Sequence, residues 1–188
     1  MNWIRKRNRG RLAAWLILPA LAGSLALPTA RAADDTPNMR LHGALVVEPC
    51  VIPPGEETIQ LDFGAVEAKF LYLHTRTVGQ AFNIHLTDCD PTIAKTVQVT
   101  FTGTESAALP GLLALDTAST ATGIAIGLET PAAKSVPLNT ATDKAELHKG
   151  DNEIALQAYV QGEPTAITDQ GITEGAFSAV ATFALTYE

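Results

Sequence analysis

The sequence predicts an all-β sandwich, and three observations carry that reading. Apolar residues recur at every second position in several separate segments. Clusters such as Pro53-Pro54-Gly55, Leu109-Pro110-Gly111 and Lys149-Gly150-Asp151-Asn152 punctuate those segments as turns. No long stretch has the three-to-four-residue spacing of an amphipathic helix.

The first 32 residues are built differently from the rest. They hold Arg5, Lys6, Arg7, Arg9, Arg11 and Arg31 and no acidic residue; a basic stretch leads into an apolar run from Leu12 to Leu27 and then Ala30-Arg31-Ala32. This is the layout of a secretory signal peptide, cleaved after Ala32. A membrane anchor is the alternative reading, but the run is shorter than the roughly 20 residues a span needs, and Pro19 and Gly23 interrupt it. Cleavage leaves 156 residues, enough for one domain with a full core. The exported chain is expected to be soluble in an oxidising compartment.

The elements then follow in order. From Pro37 the odd positions read Pro37, Met39, Leu41, Gly43, Leu45 and Val47, and the even ones Asn38, Arg40, His42, Ala44, Val46 and Glu48. An extended chain displays Met39, Leu41 and Leu45 from one edge, with a gap at Gly43 where a neighbouring surface approaches closely. Spacing alone leaves open whether this is the domain's own first strand or a segment given to another molecule. Ile59, Leu61 and Phe63 alternate with polar residues and read as a strand. Residues 69–76, with Phe70, Leu71, Tyr72 and Leu73 in a row, fit neither period. Further strands are read on Phe82, Ile84 and Leu86; on Val97, Val99 and Phe101; on Ile124, Ile126 and Leu128; and on Ile154, Leu156, Ala158 and Val160. The chain closes on a strand whose odd positions, Phe177, Ala179, Ala181, Phe183, Leu185 and Tyr187, form one apolar face.

Charge narrows the function. The net charge is −7, and since six of the 13 cations sit in the leader, the remainder sets seven cations against 20 acids. With 6% aromatic residues, that balance excludes a nucleic-acid partner, which needs clustered Lys and Arg. Cys50 and Cys89 are the only cysteines, and an even pair in an exported chain reads as a disulfide. A metal site needs more ligands at short spacing, and a redox pair usually shows Cys-x-x-Cys. The four histidines lie outside any metal or catalytic spacing, and no Gly-x-Ser-x-Gly, phosphate-loop or His-Glu-x-x-His motif occurs. No catalytic residue, metal or cofactor is expected.

Taken jointly, these residues resemble the pilin subunits of chaperone-usher fimbriae, the type 1-like group in particular, over essentially the whole mature chain. The resemblance rests on Gly43 seven residues before Cys50, on Phe82-Asn83-Ile84-His85-Leu86-Thr87-Asp88-Cys89-Asp90, and on a tail with a penultimate Tyr187 and Gly175 fourteenth from the end. It implies an incomplete immunoglobulin-like sandwich lacking its last strand, with a hydrophobic groove filled by a strand donated from another molecule. Residues 33–47 are then the donor extension, directing Met39, Leu41, Gly43 and Leu45 into the groove of the preceding subunit, and 48–188 the pilin domain. Burying Met39, Leu41 and Leu45 contributes roughly 5–9 kcal/mol gross. Asp34-Asp35-Thr36-Pro37 offers little apolar surface, so the outer end of the extension is expected to dock weakly. Gly175 would mark the start of the final strand, and Phe177, Phe183, Leu185 and Tyr187 would line the groove and meet the chaperone.

The partners so implied are a periplasmic pilus chaperone, an outer-membrane usher and neighbouring pilins, and the destination is a cell-surface fimbrium used in adhesion. Two other classes stay in view. A receptor-binding tip module usually places a lectin domain before the pilin domain, and 156 residues hold only one of them. A periplasmic enzyme or solute-binding sandwich would fold as a stable monomer without a donated strand.

Overall fold

A computed structural model describes residues 47–188. The segment read as a signal peptide, residues 1–32, and the residues expected to be donated, Met39, Leu41, Gly43 and Leu45, lie outside the described residues. Six strands follow one another: β1 Gln80–Cys89, β2 Thr96–Gly103, β3 Ile124–Glu129, β4 Ala145–Glu146, β5 Gly150–Gly162 and β6 Ala181–Tyr187. Two short helices accompany them, α1 Ala68–His74 and α2 Pro164–Thr168. The strands form two open antiparallel sheets, ordered β1-β5-β3 and β4-β2-β6.

The two-residue period of the sequence becomes the inside and outside of these sheets. Ile84 and Leu86 of β1 are buried while Asn83 and His85 are exposed. Val97, Val99 and Phe101 of β2 are buried against Leu156 of β5 and Leu128 of β3 in one core between the sheets. β5 is the central strand of its sheet, pairing β1 along its first half and β3 along its second. Over that second half both faces are covered: Tyr159 and Val160 are both buried, and Val160 joins Leu71, Ala121 and Ile124 in a second cluster.

Local chemistry fixes the connections. Pro54-Gly55 and Pro110-Gly111 occupy the centres of turns closed by Glu56 N–H to Pro53 O and by Leu112 N–H to Leu109 O, each 3.0 Å. Gly55 and Gly111 stand at φ +94° and +85°, the values a turn with Pro then Gly demands of its third residue. Before β5, the Asn152 side chain accepts the His148 N–H at 2.8 Å and donates to His148 O at 2.7 Å.

Two readings change. Residues Ile59 to Phe63 alternate in burial, but they join no ladder among the described residues, because neither sheet supplies a neighbour for them. The unassigned stretch becomes α1, which buries Leu71 into the second cluster and leaves Leu73 71% exposed. A short helix with a single buried anchor leaves no apolar stripe to read in advance.

The outer face of the β1-β5-β3 sheet is closed by an ion pair. Glu129, 2% exposed, accepts both Arg76 guanidinium nitrogens at 2.8 and 3.2 Å. The same guanidinium lies 4.2 Å over the Tyr159 ring. Tyr159 in turn covers Gly127, its cross-strand partner, where a Cβ would overlap the ring. The Glu129 hydrogen bonds raise the Arg76 pKa above its ordinary value.

Candidate functional site

The last strand is an edge strand, and its apolar face is left partly open. β6 pairs with β2 from Val97↔Tyr187 to Gly103↔Ala181 and with no other strand among the described residues. Along 177–187 every odd residue is half-buried and every even one exposed. The strands behind it differ: Val97, Val99 and Phe101, its β2 partners, are buried. The contrast shows that the inner face of β6 touches the core on one side only.

A second row completes the site. Ile59, Leu61 and Phe63 are half-buried and pack on the same core as Phe177, Phe183, Leu185 and Tyr187. From residue 57 to 66 no main-chain group hydrogen-bonds another main-chain group among the described residues. The rows meet at one end, where the Phe63 and Phe177 rings are 6.2 Å apart. Phe101 stands behind them, 6.4 Å from Phe183 and 6.4 Å from Phe82 of the other sheet. Two strand-like edges thus share one aromatic core, each short of a hydrogen-bonding neighbour among the described residues.

The β6 wall is held firmly. Lys95 N–H and Thr96 N–H donate to Glu188 O at 2.7 and 2.9 Å, and Lys144 pairs with the Glu188 carboxylate. Upstream of β6, Asp116 N–H donates to Ser178 O, and Thr120 N–H to Ala176 O, both at 2.8 Å. Gly175 lies where this extended run crosses Thr120 and Ala121; a Cβ would come within 2.9 Å of Ala121 N. The regular ladder starts six residues later, at Ala181, because residues 176–178 bond to the 116–121 loop rather than to β2. At the other end, desolvation first and Glu48 second raise the Tyr187 pKa, so the phenol stays neutral.

Cys50 and Cys89 are both buried and joined as a disulfide, which ties the segment entering the domain to the end of β1. Val51 and Thr87 reinforce the tie with reciprocal main-chain bonds of 2.8 and 2.7 Å. Among the described residues no group of His, Cys, Asp and Glu is arranged to hold a metal. What the open edge offers is apolar side chains flanked by main-chain groups that have no main-chain partner among the described residues. Chemically that suits an extended apolar segment and non-covalent docking.

Comparison with known proteins fits this geometry. The family described as fimbrial protein matches residues 39–188. The chain belongs to the fimbrial protein family. Its relatives include the major MR/P fimbria protein of Proteus mirabilis, 32% identical over 97% of this chain and 99% of that protein. The PRS fimbrial major pilin protein of Escherichia coli is 36% identical over 80% of this chain and 94% of that one. Among solved structures, the P pilus rod subunit PapA superposes with a TM-score of 0.65 at 29% identity, covering 75% of this chain and all of that one. This fimbrial subunit is therefore a structural, chaperone-usher type pilin with neighbouring subunits as partners in a cell-surface fimbrium. Sequence reading named the β6 row but not Ile59, Leu61 and Phe63 as its counterpart. Their alternation was visible; their lack of a ladder depends on which segments become neighbours in space.

Proposed function

We propose that this subunit polymerises by strand donation. The extension from Ala33 to about Val47 fills the open edge of the preceding copy, directing Met39, Leu41, Gly43 and Leu45 between β6 and the Ile59–Phe63 segment. The observation that carries this reading is the half-buried row Phe177, Phe183, Leu185 and Tyr187 on an edge strand without a second neighbour among the described residues. Completing the burial of each of these side chains supplies part of the ~1.5–3 kcal/mol that full burial of a large apolar group contributes. Main-chain bonds along the edge set the register.

An open apolar edge invites aggregation, so a covering partner is needed before assembly. A periplasmic chaperone fills that role, and an outer-membrane usher exchanges its strand for the donor of the next subunit. The signal peptide, cleaved after Ala32, brings the chain to the periplasm.

Deletion of residues 33–45 behind an intact leader tests the reading. The truncated subunit is expected to be recovered bound to its chaperone while contributing no donor strand to polymer. Polymer at the level of the intact chain would reject strand donation.

A further inference from the structure

The connection into β5 carries a charged turn that strand donation does not use. Lys149-Gly150-Asp151 stands where that strand begins, with Gly150 at φ +90°, a conformation that favours glycine. A Cβ placed on Gly150 meets no atom within 4 Å, so the glycine serves the bend and not packing. One side chain holds the bend. Asn152 accepts the His148 N–H at 2.8 Å and donates to His148 O at 2.7 Å and to Gly150 O at 3.1 Å. Gly150 is also the ladder partner of Cys89, whose disulfide to Cys50 fixes the base of the turn. A turn set in advance in this way loses little conformational freedom when a partner takes hold of it.

The two residues that flank Gly150 carry opposite charges, and both are exposed. Neither side chain forms an ion pair or a hydrogen bond among the described residues, whereas Lys134 and Lys144 are paired with Asp143 and Glu188. Lys149 reaches Asp90 only through its field, the weakest influence on that carboxylate. The Cα atoms of Lys149 and Asp151 lie at most about 7 Å apart. A partner that reads this turn must therefore offer a site for a carboxylate and, close beside it, a site for an ammonium group. A bound divalent cation supplies the first, because hard cations take carboxylate oxygens as ligands. An acidic side chain supplies the second.

We propose that Lys149-Gly150-Asp151 is a docking turn for an integrin-class receptor on animal cells. Such a receptor recognises a cation, a glycine and an aspartate in this order: its metal ion takes the Asp151 carboxylate and its acidic pocket takes the Lys149 ammonium. Gly150 keeps the space between the two charges free of a side chain, so the receptor surface can close on the main chain. A fibre repeats the turn once per subunit, and linking sites in this way raises avidity by roughly 10²–10⁴-fold without any new contact. The repetition requires that the subunits form a fimbrium; it does not depend on how they join.

Binding of a purified Arg-Gly-Asp-binding integrin ectodomain to immobilised fibres of the full chain tests this. Binding is expected in Mn²⁺ buffer, with at least a tenfold loss in EDTA and on addition of a cyclic Arg-Gly-Asp peptide. Neither of those measurements needs a variant. Asp151→Glu keeps the charge and moves the carboxylate outward by one methylene, and is expected to lose binding at least tenfold at equal fibre loading. Lys149→Arg keeps the cation and is expected to bind as the natural chain does. Absence of binding in Mn²⁺ overturns the proposal, and so does binding that persists in EDTA, in the presence of the peptide or in Asp151→Glu fibres.

Discussion

Phe101 and Phe183 stand opposite one another in the β2–β6 ladder with ring centroids 6.4 Å apart, yet Phe101 is 4% exposed and Phe183 only half-buried. The difference comes from what lies beyond each strand among the described residues: beside Phe101, β2 also meets Asn139 and Ala141, whereas β6 pairs with β2 alone. A charge placed on the β6 row therefore meets the proposed docking surface, while one on the opposite face meets water. Leu185→Arg is expected to abolish polymerisation, because it removes an apolar contact and leaves a charge to be buried by the incoming strand. A loss of about 3 kcal/mol corresponds to more than a hundredfold in affinity. Thr182→Arg, on the exposed face, is expected to polymerise normally. Unheated detergent gels of surface-sheared fibres compare the two directly.

The Cys50–Cys89 bridge closes a separation of 39 residues. On chain-entropy grounds its removal costs about 4 kcal/mol, by enlarging the freedom of the unfolded chain. Cys50→Ser with Cys89→Ser is expected to lower the urea midpoint of the subunit complemented with a peptide of residues 33–47 by about 2 M. The same bridge anchors the segment from which the extension departs. Proteolysis of the double variant should accordingly begin at residues 47–52, where the Val51–Thr87 pair and the Asp90 N–H to Pro49 O bond would remain.

The Arg76–Glu129 pair holds the connector between α1 and β1 against β3. Breaking a buried pair costs about 3–5 kcal/mol, but the Arg76 side chain is 37% exposed and solvent screens it. Arg76→Ala is therefore expected to cost about 2 kcal/mol, and Glu129→Gln less, since the amide still accepts a hydrogen bond. Arg76→Met combined with Glu129→Leu should recover most of the loss if the carboxylate's isolation is the cause. Urea unfolding of the natural chain and the three variants compares these losses.

The legible part of this fold was the part with period two. Ile84 and Leu86, Val97 and Val99, and the odd row from Phe177 to Tyr187 all fall on the faces their spacing assigns. Gly55 and Gly111 likewise sit in the turns their neighbouring prolines predict. What the sequence hid depends on contacts between distant segments. Glu129 looks like an ordinary strand-end acid until Arg76, 53 residues earlier, covers it. Leu71 is one leucine in an apolar run, and only the approach of Ala121, Ile124 and Val160 selects it as the buried one. The open edge was half legible. Composition marked the β6 row as apolar, but whether a neighbour lies beside it is a property of topology.

His85 gives the exposed side of β1 a pH dependence. Its Nδ1 is 2.7 Å from the Glu56 carboxylate, and its Nε2 is 3.4 Å from Glu153 of β5. The Glu56 hydrogen bond, aided by Glu153, raises the folded-state pKa above the ordinary 6.5. A raised pKa means the folded state holds the proton more tightly, so the contribution is fully present below pH 6.5 and is lost as pH rises through the folded value. Asp90 runs the other way: Thr92 donates to it from its hydroxyl at 2.7 Å and its N–H at 2.9 Å and lowers its pKa below 3.8. Its contribution is present above pH 3.8 and is lost as pH falls through the folded value. Between these windows both contacts act together. Ring-proton NMR is expected to show His85 titrating above 6.5, and Glu56→Gln to bring it back toward 6.5. The difference in urea midpoint between the natural chain and His85→Gln should be largest below pH 6.5 and fade in mildly alkaline buffer. A difference that grew with pH would show that the turn at Glu56 is held by something other than the charged imidazole.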